Sequence, residues 1–69
     1  MRVSVSTERQ RIAGTLDRAK RGLILTTDQH EIWVIEAEDN VDSLLGSKVI
    51  VDGVITGIDR VRADWIGPL

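Results

Sequence analysis

Few side chains in this sequence are placed to do chemistry. The one imidazole, His30, stands between Gln29 and Glu31 and near Asp28, in a stretch that reads as a hairpin turn. A solvated turn residue accounts for it, because a catalytic triad needs a nucleophile and an orienting group converging in a pocket, and 69 residues leave little room for one. Four carboxylates, Glu36, Glu38, Asp39 and Asp42, lie close together. They lack the alternating oxygen ligands, central glycine and terminal glutamate of a calcium loop, and a capped helix start explains them at lower cost. There is no cysteine, so neither a disulfide nor a thiolate metal site can form, and a single histidine does not suit a zinc site of the usual ligand types. The expectation is a protein without catalytic residues, cofactor or metal.

The basic residues are more informative. Met1 to Arg21 carries six basic side chains against two acids, a local +4, while the remainder carries three against nine, a local −6. Arg18, Lys20 and Arg21 fall within or beside one predicted strand-to-strand connection, where a polyanion could dock, with Arg11 as a further candidate contact on the strand before it. A solvated surface whose charges happen to segregate is the alternative.

These residues must be positioned by a single small domain, since the chain is too short for a second core. It divides into residues 1–8, which read either as a frayed end or as an edge strand with Val3 and Val5 on one face, and a domain over 9–69. Arg9 to Arg18 reads as a strand bent at Gly14, with a basic amphipathic helix as the competing reading. A turn at Ala19 to Gly22 leads to a second strand, Leu23 to Thr27. The turn at Asp28 to His30 leads to a third, Ile32 to Glu36. Asp39 to Gly46 reads as a short helix, capped by Asp39 or Asn40 and stopped where Gly46 takes a left-handed backbone. Its Val41, Leu44 and Leu45 are expected to plug one end of the domain. A fourth strand follows over Lys48 to Ile58, interrupted by Gly53 and Gly57, where a glycine marks a bulge or bend. The fifth runs from Val61 to Trp65 and ends before Gly67 and Pro68. Period-two alternation puts Leu23, Leu25, Trp33, Ile35, Val61, Ala63 and Trp65 in the core.

Three strands, a short helix and two strands make the order of the OB-fold, a five-stranded all-β Greek-key barrel, with an SH3-like barrel as the alternative. The stretch Leu45-Gly46-Ser47-Lys48-Val49-Ile50-Val51-Asp52-Gly53 resembles the helix-to-strand signature of small bacterial OB-fold proteins. Gly22 to Asp28, Ile32-Trp33 and Ala63 to Pro68 are similar to a family of short, uncharacterised single-domain proteins of this type in Gram-negative bacteria. The resemblance covers about residues 9 to 68 and implies a fold, with no assigned activity and no catalytic residues to transfer.

The same alternation turns Ile24, Ile32 and Val34 outward, with Ile50 and Val54 as prospective neighbours on the fourth strand. A surface that apolar is more than a small monomer usually exposes. The expected function is therefore a non-catalytic binding or assembly module, acting through a second copy of itself or another protein. The alternative is single-stranded nucleic-acid binding through Arg11, Arg18, Lys20 and Arg21. It is opposed by the absence of Phe and Tyr and by two tryptophans assigned to the core. No run of about 18 apolar residues suggests a membrane span, no signal core is evident, and a cytoplasmic location is expected.

Overall fold

The computed structural model describes residues 9–38 and 40–69. The expectations for residues 1–8 and for Asp39 as a cap lie outside the described residues. Among the described residues five strands, β1 (Arg9–Ala19), β2 (Gly22–Thr26), β3 (Ile32–Glu36), β4 (Lys48–Ile55) and β5 (Arg60–Pro68), form one sheet that closes on itself in the order β1-β2-β3-β5-β4. All pairings are antiparallel except β3 with β5.

The strand reading of Arg9 to Arg18 holds, and the helical alternative does not. β1 serves two neighbours: Arg9 to Thr15 pairs with β4 and Thr15 to Ala19 with β2. Gly14 sits at this changeover because a Cβ there would run into the main chain of Thr26 and approach Leu25 Cγ to 3.2 Å. Only a residue without a side chain lets β2 come so near.

The expected helix over Asp39 to Gly46 is a single 3-10 turn, Asp42–Leu44. Asn40 Oδ1 accepts the Asp42 N–H at 2.9 Å, which fixes a turn ahead of the helical residues. Leu45 is already extended, at φ −64 and ψ 136. Continuation is prevented by β1, whose Leu16 carbonyl accepts the Gly46 N–H at 2.7 Å and whose Leu16 N–H donates to Ser47 at 3.1 Å. Gly46 does take the left-handed backbone, at φ 83. Val41 enters the core, with Leu44 and Leu45 packed against it. β4 stops at Ile55, short of the expected Ile58, because the Thr56 N–H bonds the Arg60 carbonyl at 2.8 Å and closes the hairpin. β5 runs on to Pro68, past the expected end at Trp65, since Ile66, Gly67 and Pro68 stay in register with Val51, Ile50 and Val49.

Leu16, Leu25, Ile35, Val41, Val49, Val51 and Val61 form the core, every strand contributing at least one. Trp33 packs against this cluster as expected, although its indole N–H is buried without an acceptor among the described residues. Trp65 does not: it is 55% exposed. The register slips by one between Asp52 and Gly53, so that Gly53 faces Ala63 while Asp52 faces Trp65, and Asp64 is the extra residue. Ala63 and Ile66 both pack against the core, and Trp65, between Asp64 and Ile66, is turned out. Gly53 permits the slip, because a Cβ there would strike the Arg62 carbonyl and lie 2.9 Å from Ala63 Cα.

Candidate functional site

The bulge builds the most distinctive surface of the molecule. Asp64 and Trp65 are both exposed. The indole lies across Gly67, where any Cβ would collide with its six-membered ring, and this glycine is buried beneath it. Ile50, on β4, stands opposite Gly67 in the register. Beside Trp65 runs a groove of about 190 Å³ lined by Ala37, Val41, Leu44, Ala63 and Ile66, with Glu38, Asn40 and Asp64 as its polar members. A second groove of about 430 Å³, bounded by Glu36, Ala37, Glu38, Arg62, Ala63 and Asp64, shares four of these residues and continues the first.

The joint groove exists because β3 is shorter than β5. Their parallel ladder pairs Val34, Ile35 and Glu36 with Arg60, Val61 and Arg62 and then ends. From Ala63 onward β5 has only β4 as a partner among the described residues. The chain leaving β3 departs through Ala37 and Glu38 toward the 3-10 turn and forms the opposite wall. No backbone hydrogen bond joins the two walls among the described residues.

The five residues expected to form one apolar face are divided. Ile24 and Ile32 lie on β2 and β3, with Ile32 53% exposed. Ile50 and Val54 lie on β4, and β5 stands between β3 and β4 with Arg60 and Arg62. Val34 is 3% exposed, which removes it from any contact surface. It is flanked in the sheet by Ile24 and Arg60, and its N–H donates to the Asp59 carbonyl at 2.7 Å.

The basic residues are met by acids from other segments. Arg18 pairs with Asp42 at 2.7 Å, Arg21 with Asp59 at 3.5 Å and Arg11 with Asp52 at 3.6 Å. Arg9, which was not singled out from the sequence, bridges Asp52 and Asp64, and Lys20 has no ion pair among the described residues. The charge segregation along the chain is thus largely cancelled in space. His30 is an exposed residue of the β2 to β3 turn with φ 68, its N–H bonded to the Thr27 carbonyl. Of the clustered acids, Glu36 pairs with Arg60 at 3.1 Å and Asp42 with Arg18. Among the described residues no group of three or more His, Asp or Glu side chains gathers as metal ligands would.

Sequence reasoning missed Trp65 as a surface residue. The signal was Gly53, whose missing side chain lets β5 carry an extra residue opposite it, and an extra residue reverses the faces of the strand that holds it beyond that point.

No helix is long and apolar enough to cross a membrane among the described residues. No curated protein and no solved structure matches the sequence. A family model described as a protein of unknown function (DUF5818) matches residues 13–69, and the chain belongs to that family.

Proposed function

We propose that this chain is a non-catalytic protein-binding module of OB-fold type, a Greek-key barrel whose contact surface is the groove beside Trp65. Closure of the sheet through a parallel β3 to β5 pair supports the fold reading. The observation that carries the function is the half-exposed indole beside a groove floored by Ala37, Val41, Leu44, Ala63 and Ile66. Tryptophan is enriched among the residues that dominate protein interfaces, because it supplies a large contact area at low cost in side-chain entropy. The ion pairs of Arg11, Arg18 and Arg21 weigh against the nucleic-acid alternative, since a phosphate must compete with carboxylates already in place.

The test is site-specific photocrosslinking in cells, with a benzophenone amino acid at position 65 or, as a control, at Gln29 in the exposed β2 to β3 turn. A discrete protein adduct from position 65 alone is the expected result, and its mass separates a second copy of the chain from a different protein. Equal adducts at both positions, or none, would overturn the reading. Binding of a short single-stranded oligonucleotide that weakens steeply with salt would replace it with the nucleic-acid one.

A further inference from the structure

Among the described residues, the edge of β5 that faces the groove has no strand beside it from Ala63 to Gly67, while β3 and the wall beyond it leave a gap along that length. An unpaired edge presents a row of backbone donors and acceptors that another extended chain can take up. The gap is bordered by Glu36, Glu38 and Asp64, with Arg62 as its one basic residue. Glu38 has no ion pair among the described residues, whereas Glu36 and Asp64 are shared with Arg60 and Arg9. At one end the exposed indole face of Trp65 adjoins this acidic border. A cation is attracted both to an aromatic face and to carboxylates, so the two features favour the same side chain.

We propose that the Ala63 to Gly67 edge of β5 takes up an extended segment of a partner protein as an added strand, with a lysine or arginine of that segment held between Trp65, Glu38 and Asp64. This rests on the protein-binding reading and names the chemistry of the partner. Arg62 sets the direction of the fit, because a second basic residue placed against it is repelled. The groove widens toward Glu36 and Arg62, where a neutral or acidic residue of the segment fits.

The test uses the full chain as bait for a phage-displayed library of random nonapeptides, followed by synthetic copies of the recovered peptides. Expected are sequences with one Lys or Arg among alternating β-branched residues, whose binding shifts the amide resonances of Ala63 to Gly67. N-methylation of alternate peptide amides is expected to weaken binding about fivefold or more while methylation of the intervening ones does not. Glu38→Lys, an exposed position, is expected to weaken it about threefold or more with the melting temperature unchanged. Recovered peptides that shift groove resonances but lack a basic residue overturn the cation contact, and peptides that tolerate methylation everywhere overturn the added strand; either outcome leaves the protein-binding reading standing. Failure to recover any peptide that shifts the groove overturns both.

Discussion

The two indoles occupy opposite sides of the sheet, and this separates them spectroscopically. Trp33 packs against the core, whereas Trp65 lies on the outside across Gly67. In the single-tryptophan variants, Trp65→Phe is expected to leave blue-shifted emission that acrylamide quenches poorly, and Trp33→Phe to leave red-shifted, readily quenched emission. Equal quenching in the two would contradict the bulge. Gly53 is the residue on which that geometry depends. Gly53→Ala forces a methyl against the Arg62 carbonyl, and a loss of about 1–3 kcal/mol is expected from denaturant unfolding, as for other overpacked sites.

At the scale of elements, stability comes from the strands' inward faces and not from their charges. Leu25 is fully buried, so Leu25→Ala is expected to cost about 2–5 kcal/mol in urea unfolding. Arg18→Ala breaks an exposed ion pair, and a change within about 1 kcal/mol is expected. The core residues Leu25, Trp33 and Ile35 were legible because they recur at every second position between turn residues, whereas Val34, which the same alternation turns outward, is buried as well. Ile32 to Glu36 was read with the bounds it has. Two things were not legible. The helical stretch was cut short by Leu16, a residue far away in sequence whose backbone captures Gly46 and Ser47, and no local propensity encodes that. The outward turn of Trp65 follows from an extra residue in β5, which alternation read strictly through Val61, Ala63 and Trp65 passes over. The fold class needs only the pattern and the turns. The candidate surface needs the register, and register is decided between strands.

Across the whole molecule, the charges that look bipolar along the chain become local pairs, because β1 lies against β4 and its end approaches the 3-10 turn. Arg9 and Arg11 meet Asp52, and Arg18 meets Asp42. At low salt, a short single-stranded oligonucleotide is therefore expected to leave the sedimentation of the protein unchanged. The closure of the sheet behaves differently from these pairs. The ring is sealed by three residue pairs between β3 and β5, whereas β1 and β4 share seven. Joining β3 to β5 also encloses the 3-10 turn and all of β4 in one long loop, whose closure entropy must be met by a short parallel ladder. The seam is thus expected to be the last part of the ring to form during folding and the first to part. Amide exchange should be faster at Val34 to Glu36 than across the middle of β4. Substitutions at Arg60 should speed unfolding while leaving the folding rate nearly unchanged.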